Sequence, residues 1–296
     1  MGAPPFPADA EAPTGSRASG HRRLFSVGIR TVSSAILIGI VLVSVLAPAG
    51  PFVAVMTLFT AVGLWEYFAL VTRKGLHTFR WVGLAIGCSL PWITWAAATA
   101  PSGAWLQESV ALWLLVGALA VCVIQFVRRA SHDALSAVAV TVFGILYVAW
   151  LFSFLVRLKL LPNGTALVGY VLLVTKLGDM GAYFIGASWG RTPLIPRISP
   201  KKTVEGLVGG LAVSFATAWW FRAWLPVPTI PHAIALGALL GGGAQAGDLI
   251  ESLFKRDCQT KDSGRLVPGL GGMLDVIDSL LFTIPVFYAY VRIMWF

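Results

Sequence analysis

The sequence predicts an all-α polytopic integral membrane protein with about nine transmembrane helices and a cytoplasmic N-terminus. Composition is the first reason: of the 296 residues, 57% are hydrophobic and only 12% are charged. A soluble domain carries roughly 25% charged residues, about twice this proportion. The composition therefore excludes an ordinary soluble globular protein, and equally a disordered, collagen-like or disulfide-rich chain.

Nine apolar runs are the second reason. A helix needs roughly 20 mostly apolar residues to cross the hydrocarbon core of a bilayer. Runs of that size lie near residues 31–48, 51–72, 81–100, 105–127, 134–156, 165–187, 204–224, 229–250 and 277–295. The first two are separated only by the turn Pro48-Ala49-Gly50-Pro51, so we expect a tight hairpin. The residues before the first run, rich in Pro, Ala and Gly, indicate a flexible tail.

The distribution of basic residues is the third reason. Nine crossings sort the loops into two sets, and 17 of the 22 Lys and Arg residues fall in one set, 4 in the other and one inside a span. The larger set holds Arg17, Arg22, Arg23, Arg30, Arg73, Lys74, Arg80, Arg128, Arg129, Arg191, Arg197, Lys201, Lys202, Lys255, Arg256, Lys261 and Arg265. By the positive-inside rule this side is cytoplasmic, so the net charge of +9 mostly reflects topology.

Ionisable residues inside a span insert at a cost of a few kcal/mol each and are therefore functional candidates. In the sixth span, Lys176 and Asp179 are three residues apart on one helix face, where they can neutralise each other. Glu66 lies near the cytoplasmic end of the second span. For Glu66 we favour a structural interpretation, in which it snorkels to water or pairs with Arg73 or Lys74.

The loop after the sixth span has the features of a phosphate site. Ser199 followed by Pro200 is typical of a helix start, with the serine as N-cap. The free N–H groups of a helix N-terminus, together with Lys201, Lys202 and the hydroxyl of Thr203, would bind phosphate oxygens. The alternative is an ordinary capped helix whose lysines only mark the cytoplasmic face.

A denser polar cluster begins at the end of the eighth span. Asp248, Glu251, Ser252 and Lys255 share one helix face, so the stripe faces protein or water rather than lipid. Carboxylates from two helices beside lysines and glycines suit a magnesium–nucleotide site, since magnesium prefers oxygen ligands. The alternative is a set of charges lining a solvated loop. Further along the chain the cluster adds Arg256, Lys261, Asp262, Gly271, Gly272, Asp275 and Asp278.

At these residues the sequence resembles the phosphatidate cytidylyltransferases, also called CDP-diacylglycerol synthases. Their pattern of Ser, Lys-Arg, Lys-Asp, a Pro-Gly-His-Gly-Gly turn and two aspartates corresponds to SLFKRDCQTKDSGRLVPGLGGMLDVID, from Ser252 to Asp278. GDMGAYFIG and SPKKTVEG resemble two further family blocks, and the resemblance covers about residues 140–290. Leu270 and Val276 replace the usual His and Arg, which indicates a divergent branch.

The resemblance implies that CTP and phosphatidic acid give CDP-diacylglycerol and pyrophosphate, with Mg²⁺ as cofactor. It implies catalytic roles for Asp248, Asp275, Lys255 and Lys261. Asp248 and Asp275 would be the main magnesium ligands, with Asp278 and Asp179 in additional positions. The substrate- and phosphate-binding set would be Ser199, Lys201, Lys202, Thr203, Ser252, Arg256, Asp262, Gly271 and Gly272. The chain would then divide into a flexible cytoplasmic tail (1–30), a transmembrane scaffold (31–160) and a catalytic transmembrane region (161–296).

Other functions remain open from the sequence. A CTP-dependent transferase could act on an ether-linked or polyisoprenoid lipid, because lipid chains leave no readable motif. A secondary transporter would need internal repeats and mid-membrane charges in both halves, which we do not find. A catalytically inactive scaffold is motivated by Leu270 and Val276. We expect no nucleic-acid partner, an inner-membrane location with a cytoplasmic site, and an assembly for which a homodimer is one option.

Overall fold

The computed structural model describes residues 16–100, 105–128, 133–264 and 271–295, and it confirms the all-α membrane class. A π-helical segment, Ile145–Trp150, joins α5 and α6 into one continuous rod, and a short 3₁₀ turn, Arg222–Trp224, follows α8. The helices are α1 (Ser16–Leu46), α2 (Ala49–Arg73), α3 (Arg80–Thr99), α4 (Trp105–Val127), α5 (Ala134–Gly144), α6 (Leu151–Lys159), α7 (Gly164–Trp189), α8 (Val204–Trp220), α9 (Ile230–Asp257) and α10 (Met273–Met294).

Seven helices in the described part of the chain are long and apolar enough to cross a membrane. They are α2, α3, residues Glu108–Val127 of α4, the α5–α6 rod, α7, α9 and α10. The predicted spans near 31–48 and 204–224 correspond to two shorter apolar helices, Thr31–Leu46 and Val204–Trp220. Since a crossing takes roughly 20 residues, the total of nine stays a prediction.

Helix α1 starts earlier than the sequence pattern indicated. It begins at Ser16, inside the segment expected to be a flexible tail, and continues to Leu46. The chain has no proline between Pro13 and Pro48, so no residue in this stretch lacks the N–H that a helix needs. The remaining part of the expected tail, residues 1–15, lies outside the described residues.

Glycines allow α7 and α8 to pack closely. A Cβ atom on Gly178 would lie 2.2 Å from the Ser214 hydroxyl oxygen, and one on Gly210 would lie 3.1 Å from the carbonyl oxygen of Gly178. Small residues at such interfaces let helix backbones approach within a membrane. Helix α9 packs against both α7 and α8, and α10 packs against α9, α6 and α2. The helices α7, α8, α9 and α10 therefore lie next to one another.

A short antiparallel hairpin connects α7 to α8. It consists of β1 (Pro193–Ile195) and β2 (Ser199–Thr203), with Ile195 opposite Ser199. The prediction that Ser199 caps a helix beginning at Pro200 is wrong, because strand pairing holds both residues in extended backbone. Thr203 is the actual N-cap of α8, and its Oγ1 accepts a hydrogen bond from the Gly206 N–H at 3.1 Å.

Contacts between distant segments define the two ends of the bundle. At one end, an ion pair joins Lys74, just after α2, to Asp257, the last residue of α9. At the same end, Arg128 after α4 lies 2.8 Å from His77. At the other end, Lys159 of α6 donates a hydrogen bond to a backbone carbonyl of α1. The segments that the sequence assigns to the cytoplasmic side therefore share one end.

Candidate active site

A cavity of about 540 Å³ lies between α7, α8 and α9, at the end of the bundle where Lys74 pairs with Asp257. Three elements contribute its polar lining, because α7, the β2–α8 junction and α9 all reach this end of the bundle. The glycines Gly186 and Gly206 and the exposed Tyr183 also line it. The polar lining side chains are Asp179, Lys201, Lys202, Thr203, Gln245 and Asp248. The cavity therefore brings together residues from both polar clusters of the sequence.

Lys202 and Asp248 form the central contact of this cavity. The Lys202 Nζ lies 2.6 Å from Asp248 Oδ2 and is itself buried, while the Asp248 side chain is partly exposed. Lys201 is exposed beside them, and Thr203 caps α8 so that its first N–H groups face the same space. A helix N-terminus with two lysines attracts anions through its free N–H groups and its dipole.

Lys176 and Asp179 form the predicted pair on α7, at 3.3 Å. Both also bind α10: the Ser279 hydroxyl lies 2.8 Å from Asp179 Oδ2 and 2.7 Å from Lys176 Nζ. Lys176 further donates to the carbonyl of Val276 at 2.8 Å. Val276 replaces an Arg of the family pattern that the sequence resembles, and here the Lys176 ammonium contacts the backbone carbonyl of that position.

Asp278 lies close to the same charges but is almost fully buried. Its Oδ1 accepts a hydrogen bond from the N–H of Ser279, and its charged neighbours include Lys176, Asp179, Asp248 and Glu251. Asp278 is not part of the cavity lining. Asp278 therefore lies behind the described lining residues, and its charge affects the electrostatic potential inside the cavity.

Asp275 belongs to a second polar cluster, at the N-terminus of α10. Lys255 Nζ lies 2.6 Å from its Oδ1, while Oδ2 accepts hydrogen bonds from the Ser263 hydroxyl and the Gly272 N–H, both at 2.8 Å. Lys255 also lies 3.3 Å from the fully buried Glu251. Asp275 is therefore engaged on both oxygens and would have to exchange a partner to bind a cation.

Glu66 is the residue whose position the sequence interpretation missed. Its side chain is 2% exposed, and Oε2 accepts a hydrogen bond from the Leu274 N–H at 2.8 Å, with the Ser263 hydroxyl at 3.4 Å. The predicted pairing with Arg73 or Lys74 is wrong, because the free N–H groups of α10 offer a closer partner. A carboxylate inside a span is a functional candidate by default, so the sequence alone marks Glu66 as one.

Two glycines make room for Glu66. A Cβ atom on Gly264 would lie 2.2 Å from Oε1, and one on Gly272 would lie 2.4 Å from Oε2. Gly271 has φ of +98°, a conformation that side chains disfavour. Gly272, one of the two glycines predicted to bind substrate, therefore makes room for a carboxylate from the N-terminal half.

The other predicted residues lie outside the cavity lining. Ser199 and Ser252 are half-buried, while Lys261 and Asp262 are exposed. Arg256 is exposed and donates from Nε to the carbonyl of Ile198, in the turn of the hairpin, at 3.2 Å. Leu270 lies outside the described residues.

The donor set fits a magnesium ion held jointly with phosphate groups. No three His, Cys, Asp or Glu side chains of the described residues form a group that could hold a metal alone. Asp179 and Asp248 line one cavity, and their contacts within the described chain engage only Oδ2. Magnesium usually takes one or two protein carboxylates and completes its shell with phosphate oxygens and water, which matches this arrangement.

Comparisons with known proteins agree with this chemistry. The model of the cytidylyltransferase family matches residues 28–294. The chain is 40% identical to the uncharacterized protein YnbB of Escherichia coli over 153 residues, 51% of this chain and 50% of YnbB. It is 40% identical to the phosphatidate cytidylyltransferase of Bacillus subtilis over 146 residues, 48% of this chain and 54% of that protein. For the phosphatidate cytidylyltransferase of Synechocystis, identity is 33% over 273 residues, covering 82% and 89%. The chain thus spans about half the length of the first two relatives and most of the third.

Proposed function

The chain belongs to the cytidylyltransferase family, and from this premise we propose that it is a phosphatidate cytidylyltransferase of phospholipid biosynthesis. A phosphatidate oxygen attacks the α-phosphorus of CTP, the bond from that phosphorus to the bridging oxygen breaks, and pyrophosphate leaves with CDP-diacylglycerol as the product. The observation that supports this most is the cavity in which Lys202 and Asp248 meet at the α8 N-terminus.

The basic residues of the cavity bind the phosphate groups in this proposal. Lys201, Lys202 and the first N–H groups of α8 offset the charge that develops on the phosphoryl oxygens. Lys202 is held at 2.6 Å from Asp248, so its charge is positioned before substrate arrives. No general base is required, because a phosphate monoester is already ionised near neutral pH.

The carboxylates of the cavity provide the cation site. Asp179 and Asp248 would hold Mg²⁺, which, when bound, neutralises phosphate charge and orients the triphosphate. Asp278 would support them electrostatically from its buried position. Asp275 and Lys255 keep the start of α10 in place beside the cavity, which is a more limited role than the sequence implied.

The proposed location is the cytoplasmic face of the inner cell membrane. The cavity lies at the end of the bundle that carries most of the basic loops, where soluble CTP and a membrane-resident lipid can meet. The pairing of Lys74 with Asp257 supports a common side for the α2–α3 loop and the end of α9.

The test uses purified full-length protein in detergent with magnesium, phosphatidic acid and each of the four nucleoside triphosphates. We expect pyrophosphate release with CTP alone, and a loss of about a hundredfold in kcat for Lys202→Gln and for Asp248→Asn. Glu108→Gln, an exposed acidic residue on α4, is the matched control and should retain activity.

Three results would contradict the proposal. Release that does not depend on phosphatidic acid, or that occurs equally with another nucleotide, would exclude the reaction. Release with a polyisoprenyl phosphate in place of phosphatidic acid would assign the same chemistry to a different lipid.

A further inference from the structure

A second cavity, also of about 540 Å³, lies at the same end of the bundle, where α2 ends, α3 begins and α4 ends. Its lining includes His77, Arg80 and Arg128 together with Phe79 and Trp81, and none of its described lining residues is acidic. It shares no lining residue with the candidate active site. The proposed reaction gives this basic cavity no role.

Both arginines are held in defined positions. The Arg128 guanidinium lies 2.8 Å from His77 Nε2 and 5.8 Å from the centre of the Phe79 ring. The Arg80 guanidinium lies 4.8 Å from the centre of the Trp65 ring. Cation–π contacts of this kind orient a guanidinium without occupying most of its five N–H donors.

The arginines have no anionic partner in the part of the chain that the structure describes. None of the ion pairs between described residues involves Arg80 or Arg128. Arginine binds phosphate through two parallel N–H···O bonds. Both terminal nitrogens of Arg128 lie near His77, at 3.3 Å from Nδ1 and 2.8 Å from Nε2. A neutral imidazole accepts only one hydrogen bond, so His77 does not take the place of a phosphate. The unsatisfied donors favour an external anion with phosphate geometry.

The position of the cavity indicates where such an anion comes from. Trp81, in the first turn of α3, is 73% exposed, and Trp65 near the end of α2 is 39% exposed. Exposed tryptophans at the ends of spans mark the level of the lipid head groups. Basic residues just cytoplasmic of a span attract anionic lipids of that leaflet.

We propose that this cavity binds the phosphate head group of an anionic membrane lipid, at a site separate from the candidate active site. Arg80 and Arg128 bind the phosphate oxygens, and Trp81 contacts the region below the head group. The inference does not depend on the proposed enzymatic reaction, since it concerns binding alone.

The experiment measures retention of radiolabelled phosphatidylglycerol by immobilised full-length protein in nonionic detergent micelles. We expect the double variant Arg80→Gln/Arg128→Gln to bind about thirtyfold more weakly, because each basic residue near an anionic head group strengthens binding roughly fivefold. Arg222→Gln/Arg292→Gln removes the same charge from the opposite end and should bind like the wild type. Arg80→Lys/Arg128→Lys keeps the charge and should recover most of the retention.

Three results would overturn the proposal. One is equal retention by the wild type and by Arg80→Gln/Arg128→Gln when both show the same thermal unfolding. A second is equal retention of zwitterionic phosphatidylcholine, which would remove the role of charge. The third is displacement of the lipid by millimolar inorganic phosphate, which would assign the cavity to a free phosphate.

Discussion

Single residues connect the two halves of this protein, and Glu66 is the clearest case. It lies on α2, in the half that the sequence identifies as scaffold, yet its carboxylate binds the N–H of Leu274 on α10. The same cluster includes Ser263, whose hydroxyl contacts both Glu66 and Asp275. A change at Glu66 should therefore affect the segment that positions Asp275.

We expect Glu66→Ala to lower the stability of the protein by about 1–3 kcal/mol, because it leaves the buried Leu274 N–H without an acceptor. Glu66→Gln should lower the stability of the protein less, since the glutamine amide oxygen can still accept that hydrogen bond. Thermal unfolding in detergent, read together with kcat, measures both effects. Glu108→Gln serves as the exposed control, and an alanine variant as stable as this control would refute the positioning role.

At the scale of elements, the packing of α7 against α8 determines the shape of the candidate active site. Both helices carry lining residues, and they approach through Gly178 and Gly210. Around Gly210 the neighbouring atoms are the Ala182 Cβ and the backbone of Gly178. Neither can move without moving α7, so the interface has little room to adjust. The separation of the two helices therefore sets the width of the cavity between Asp179 on α7 and Leu207 on α8.

We expect Gly210→Ala to separate α8 from α7 and to reduce both stability and activity. Its Cβ atom would lie 2.8 Å from the Ala182 Cβ and 3.1 Å from the Gly178 carbonyl, and overpacking of this kind typically costs about 1–3 kcal/mol. Gly242→Ala on α9 has open space around its Cβ position and is the matched control. Identical unfolding temperatures and kcat values for the two variants would disprove this account.

At the scale of the whole molecule, the charges divide between two ends. Lys74 and Asp257 pair at one end, and Arg222 lies near the other, after α8. Both clusters of candidate functional residues lie at the first end. The positive-inside rule assigns the end with most of the basic loops to the cytoplasm, which is the side proposed for the active site.

The topology predicts opposite accessibility for Lys261→Cys and Arg222→Cys in a chain whose three native cysteines are replaced. A membrane-impermeant maleimide should label position 222 in intact spheroplasts, and position 261 only after permeabilisation. Both residues lie in loops or turns, so the thiols are reachable when their side is exposed. The reverse pattern would place the proposed active site on the outer face.

The amino-acid sequence predicts the membrane class, which the structure confirms, and it marks the two polar segments that carry Lys202 and Asp248. Those properties depend on composition and on local spacing, which a sequence states directly. The sidedness of the loops stays a prediction. The expectation of a helix cap is wrong at Ser199, where pairing with Ile195 forms a short hairpin. Local pattern does not separate the two outcomes, because the residue before a proline also favours extended backbone.

Which carboxylates lie together depends on how the helices pack. Asp275 contacts Lys255, while Asp179 and Asp248 line the same cavity. The joint binding of a metal by Asp248 and Asp275 stays a prediction. Glu66, far away in sequence, reaches the start of α10. Helix periodicity assigns a residue to a face, but the neighbour of that face depends on how helices pack. That packing depends on contacts between glycines and side chains from distant parts of the chain.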